Sequence, residues 1–286
     1  MTQNTAVQKH FITFAASARS PKKRLGVQVM SLGRPDTVFF AGFGNEAPAL
    51  RHTIRLLQAK GISNIAVVCA MPYWEALDSM DSMVALGVAG NAAVMRHLRE
   101  LTGRQRLHVI AESQAAAALV HAATQQPELF KGRVALLRPL GLVQIRKRQF
   151  VGRMTRGALQ PEQLLDWRVV TVGRRAAWRT IQTLLRKGVQ LTAALAWDIR
   201  RHLGELHTLK GRQLRIFVAR RDLLYPPDAV QAALQELQES PEVEVIVGSH
   251  SSPATHAGVT QLTYVLQWCR GDKAPKTAAV LEEPSN

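Results

Sequence analysis

Apolar and polar residues follow two rhythms along most of the chain. Phe11–Ala18 and Leu25–Ser31 are alternating runs that flank the basic turn Pro21-Lys22-Lys23-Arg24, a pattern that predicts an antiparallel hairpin. Thr37–Phe40, Asn64–Cys69, Leu107–Ala111, Arg133–Leu137, Leu214–Ala219 and Val243–Val247 are instead short, nearly continuous apolar runs. Such runs suit strands covered on both faces. Ala47–Gly61, Asn91–Leu101, an alanine-rich stretch from Gln114, Pro227–Glu239 and Val259–Cys269 carry the helical period. Strands alternating with helices predict an α/β fold, a mostly parallel central sheet with helices on both faces. The rhythm breaks between Val143 and Arg212, where no buried strand is visible and the residues are helix-like and arginine-rich. This stretch reads as a helical cap inserted over the carboxyl ends of the strands, where open sheets of this kind bind ligands. The expected organisation is a core of residues 1–142 and 213–271, a basic helical cap of residues 143–212, and a disordered tail of residues 272–286.

Composition narrows the picture in three ways. A chain of 286 residues, 47% of them hydrophobic, buries a large core and has no internal repeat. No apolar run reaches the roughly 18–20 residues of a spanning helix. Phe11–Ala18 is short for a signal-peptide core and follows a single Lys9, so the hairpin reading is preferred and a cytoplasmic protein is expected. The two cysteines, Cys69 and Cys269, are too few for a disulfide framework or a thiolate metal site. The net charge of +16 attracts anions without naming one; in residues 143–212 fifteen Lys and Arg face four acids. Arg174–Leu191 interleaves Trp178, Ile181, Leu184, Leu185 and Val189 with five cations, a basic amphipathic helix. An anionic membrane surface is one partner such a helix suits; the plainer reading is a lid helix with its arginines in water. No motif specific for nucleic acid is present.

The candidate chemistry lies at strand ends. In His108-Val109-Ile110-Ala111-Glu112-Ser113-Gln114-Ala115 a strand ends, a serine follows and a helix opens at once. Ala111 and Ala115 stand two residues either side of Ser113, and a nucleophile on a sharp strand-to-helix turn needs small neighbours. The strand Ile216–Ala219 leads to Asp222, and the strand Val245–Val247 leads through Gly248-Ser249 to His250. His250 follows Asp222 by 28 residues, room for one helix and one strand. His256, six residues further on, is the rival base.

The order Ser, Asp, His, each just past a buried strand, resembles the α/β-hydrolase fold superfamily. The resemblance covers nearly the whole chain outside the insertion. Alanines at 111 and 115 depart from the family's G-x-S-x-G elbow, and Ala41 stands where the family often has histidine before its oxyanion-hole glycine. The resemblance implies a Ser113, Asp222 and His250 triad. It implies oxyanion donors on the N–H groups of Phe43 and Gln114, and hydrolysis through an acyl-enzyme with no metal or organic cofactor. The expected substrate is a small-molecule carboxylic ester, with Tyr73, Trp74 and Trp178 toward the substrate pocket. A thioesterase and a hydrolase fold that only binds its ligand are the alternatives. Gly42-Phe43-Gly44-Asn45-Glu46-Ala47 also fits a dinucleotide fingerprint, which would make a nicotinamide-dependent oxidoreductase. The next strand, however, ends Cys69-Ala70-Met71-Pro72, without the acid that would hold a ribose.

Overall fold

A computed structural model describes residues 6–15, 24–42, 47–69, 80–158, 198–249 and 255–272. Eight strands form one sheet: β1 (Val7–Ala15), β2 (Arg24–Leu32), β3 (Thr37–Phe40), β4 (Ile65–Val68), β5 (His108–Glu112), β6 (Val134–Leu137), β7 (Leu214–Arg221) and β8 (Glu242–Ser249). Their spatial order is β1-β2-β4-β3-β5-β6-β7-β8. β1 and β2 pair antiparallel, as their alternation predicts, and β2 joins β4 antiparallel. Every pairing from β4 to β8 is parallel. Gly26 leaves a gap in the hairpin that the ring of Phe11 fills; a Cβ on Gly26 would lie 2.1 Å from Phe11 Cζ.

The continuous apolar strands divide their side chains between two cores because successive residues point to opposite faces. On one face Val38, Phe40, Val109, Ala111, Ile216 and Val218 meet α2 (Met80–Thr102), α3 (Gln114–Gln125), α5 (Arg200–Lys210) and α6 (Pro227–Gln235). On the other, Phe39, Ile65, Val67, Ile110, Leu137 and Phe217 meet α1 (Ala47–Ala59) and α7 (His256–Arg270). The result is three layers, helix on sheet on helix, as the composition of the strands requires.

Of the expected cap, α4 (Lys147–Ala158) and α5 are described, and residues 159–197 lie outside the described residues. α5 joins the helical layer, burying Leu203 and Leu206 in the core that also holds α3. The tail beyond Asp272 is likewise outside the described residues. α2 begins 11 residues before the helix expected from the sequence and runs through Gly87 and Gly90, which are buried inside it. Both cysteines are buried. Among the described residues no helix is long and apolar enough to cross a membrane.

Candidate active site

Ser113 occupies the single residue between β5 and α3. Its φ of 52° and ψ of −119° lie outside the regions where L-residues are at ease. Strain of this kind, about 1–3 kcal/mol, persists only where the surroundings enforce it. Here the backbone is held from both sides. The Ser113 N–H donates to the Leu137 carbonyl at 3.0 Å, and its carbonyl accepts from Ala116 and Leu140 N–H, each at 3.1 Å. The flanking Ala111 and Ala115 are buried, while Ser113 keeps partial exposure. The small neighbours expected at an elbow are therefore packed against it. Gln114 opens α3, where backbone N–H groups lack helical partners and favour negative charge.

The end of β3 comes directly against this turn. A Cβ placed on Gly42 would meet Ser113 Cβ at 3.0 Å and the Glu112 carbonyl at 3.1 Å, so only glycine allows this approach without displacement. Gly42 is the last described residue of its loop; Phe43 lies outside the described residues.

Asp222 follows β7, buried to 2% exposure. Its Oδ1 accepts from Leu224 N–H at 2.8 Å and Tyr225 N–H at 2.9 Å, and its own N–H donates to the Ala219 carbonyl at 3.0 Å. The carboxylate is thus fixed by its own turn. Arg153 of α4 donates through Nη1 to the Leu224 carbonyl at 3.2 Å, tying the start of the expected cap to this turn. Burial first, and the neighbouring Asp222 second, raise the Tyr225 phenol far above its ordinary value, so it stays neutral.

β8 ends at Ser249, which is buried, and His250 itself lies outside the described residues. Its rival His256 is the exposed first residue of α7, beside Thr255, whose hydroxyl caps the helix by accepting from Gly258 N–H at 2.9 Å. Tyr73, Trp74 and Trp178 are also outside the described residues. Ser113, Asp222 and Ser249 stand at the carboxyl ends of β5, β7 and β8, strands that run parallel, and so on one edge of the sheet.

One feature of this edge escaped the sequence pattern. Glu112, directly before the serine, is buried and forms an ion pair through Oε1 with Nη2 of Arg138, which is buried to 1% exposure. Glu112 Oε2 accepts from Gly42 N–H at 3.3 Å, and Arg138 Nη1 donates to Gln261 Oε1 at 3.3 Å. The available signal was two opposite charges directly following two apolar runs that prove to be neighbouring strands. Among the described residues no group of three His, Cys, Asp or Glu side chains is placed to hold a metal ion.

No protein-family model matches the sequence, and no curated protein does. Solved structures do. An esterase from Thermogutta terrifontis is 16% identical, with a TM-score of 0.55 over 92% of this chain and 98% of its own. Naproxen esterase from Bacillus subtilis is 11% identical, with a TM-score of 0.54 over 94% and 92%. The 2-hydroxy-6-oxo-6-phenylhexa-2,4-dienoate hydrolase of a Rhodococcus strain is 14% identical, with a TM-score of 0.53 over 92% and 99%. At these identities the likeness is one of fold: the chain has the α/β-hydrolase fold.

Proposed function

We infer that the protein is a serine hydrolase that cleaves a carboxylic ester. The observation that carries this reading is the strained Ser113, held partly exposed between β5 and α3 with Gly42 against it. A serine that only capped a helix would accept from the N–H groups of its first turn, yet Ser113 makes no side-chain cap bond. The buried Asp222 and the strand end preceding His250 on the same edge support the other two roles. So does the fold shared with two esterases.

In this reading His250 removes the proton from the Ser113 hydroxyl as the oxygen attacks the ester carbonyl. Asp222 orients the imidazole and stabilises its charged form. The N–H groups of Phe43 and Gln114 receive the oxyanion. The alkoxide leaves with the proton from His250, and water, deprotonated by the same histidine, releases the acid from Ser113. On this reading the cap starts at α4 and ends before α5, which belongs to the core, and Tyr73, Trp74 and Trp178 are the residues proposed to meet the acyl group. The arginines of the cap suit an anionic surface such as a membrane.

The test is covalent labelling by a fluorophosphonate probe, with the modified peptide located by mass spectrometry. Label falls on Ser113, and Ser113→Ala or His250→Ala lowers turnover of a p-nitrophenyl ester by on the order of 10⁴–10⁶-fold. His256→Ala leaves it intact; if that variant is the dead one, the base is His256. Folded protein that takes no label would make this a fold that only binds its ligand.

A further inference from the structure

The ion pair beneath Ser113 is one part of a longer chain of buried polar groups. Gln261 of α7 takes the Arg138 Nη1 proton on its Oε1, and its Nε2 donates to the carbonyls of Val247 at 2.9 Å and Ser249 at 3.1 Å. Those two carbonyls bracket Gly248, whose φ is 103°, in the last turn of chain before His250. This backbone conformation favours glycine, and a Cβ on Gly248 would lie 2.7 Å from Gln261 Nε2 and push the amide aside. At the other end, Glu112 Oε2 holds the N–H of Gly42, the residue before Phe43. Arg138 is itself fixed: its N–H donates to the Phe217 carbonyl on β7 at 2.8 Å, and its φ is 50°. Glu112, Arg138 and Gln261 are all less than 5% exposed.

Apolar side chains of similar volume would pack this space at no electrostatic cost, because desolvating two charges consumes most of their attraction. What the polar groups provide is direction. Three of these hydrogen bonds fix backbone atoms, at Gly42 past the end of β3 and at Val247 and Ser249 in the last residues of β8, from which two loops continue. We propose that Glu112, Arg138 and Gln261 form a positioning relay that sets the loop after β3 and the loop after β8 in register around Ser113. In the serine-hydrolase reading, on which its catalytic meaning rests, these loops carry the oxyanion donor and the base. In this role the three residues act through Gly42 and Ser249 as positioning residues.

Gln261 is the residue to change, because its replacement leaves no acid or base newly unpaired. Gln261→Met removes both halves of the amide. Gln261→Glu keeps an acceptor for Arg138 and loses the donor to Val247 and Ser249. Both variants of the full chain should lower kcat on a p-nitrophenyl ester by about 10- to 100-fold with KM changed less than about threefold, since misplacement of reacting groups falls on the chemical step. Gln261→Glu also adds a second buried carboxylate beside Arg138 and should lower the melting temperature more than Gln261→Met. Backbone hydrogen exchange, read without any activity, should accelerate in Gln261→Met at residues 38–42 and 245–249 together. Wild-type kcat in Gln261→Glu, or acceleration confined to 245–249, overturns the relay. Wild-type protein that takes no fluorophosphonate label while both segments accelerate would instead remove the hydrolase reading and retain the coupling of the two loops.

Discussion

Arginine and glutamate meet at two places on this sheet with opposite surroundings. Glu112 and Arg138 pair beneath the elbow with side chains 4% and 1% exposed. Arg215 of β7 pairs with Glu242 and Glu244 of β8 at the sheet's far side, where the side chains are 22%, 65% and 22% exposed. Arg215 also lies over the Trp268 ring at 5.2 Å, and the Tyr264 hydroxyl donates to Glu244, which raises that phenol to about 12. The outer cluster keeps one side in water, so losing a partner returns the other to solvent. The inner pair has no such recourse. Depth, and not the number of bonds, decides what each pair does.

The sharpest way to break this contrast is Arg138→Met. It strands a buried carboxylate and should destabilise the chain by about 3–5 kcal/mol in urea unfolding. Adding Glu112→Leu should recover most of that loss while the ester activity stays low, because packing is restored and direction is not. A double variant as unstable as the single one would show that the pair holds the fold together.

A second buried base gives a pH test of intermediate size. Burial, then the charge of His202, whose tilted ring lies 4.2 Å away, hold the His121 imidazole at about 4, with Glu205 opposing. The unfolded imidazole takes its proton below about 6.5 and the folded one only near 4. Stability is therefore full above 6.5, falls as pH drops through this window, and levels off below it, by a total on the order of a few kcal/mol. In His121→Gln the urea midpoint should lose this slope between pH 6.5 and 4.

The smallest effects belong to the outer charges. Arg215→Ala should cost about 1 kcal/mol, part of it packing on Trp268, and the contribution should shrink in high salt. Arg200, 30% exposed and paired with Asp198 and Glu236, should cost less than about 1 kcal/mol when changed to alanine. A loss at either site as large as that of Arg138→Met would erase the distinction.

The sheet and its layers were legible because periodicity reports burial directly. Alternation in Leu25–Ser31 and its absence in Thr37–Phe40 separated a hairpin arm from an interior strand. Ser113 and Asp222 were legible as strand ends followed by turn or helix signals. The Glu112–Arg138–Gln261 chain was not, because its members come from β5, the end of β6 and α7, and only the sheet order makes them neighbours. The length of α2 was missed for a related reason: tertiary packing against α3 overrides what two glycines cost a helix in isolation.

Among the described residues β8 borders the sheet and pairs with β7 alone, along one side. Its pairing slips between Ala219 and Arg221, one strand pair before the segment that leads to His250. A border strand with an irregular last rung is the part of a sheet that peels first when a protein breathes. Brief detachment there would break the Gln261 bonds to Val247 and Ser249 and disarm the proposed base, while the interior strands, with Ser113 and the Glu112–Arg138 pair, stay assembled. Heating should accordingly silence the proposed ester hydrolysis several degrees below the temperature at which the molecule as a whole melts, and cooling should return it without any refolding of the core.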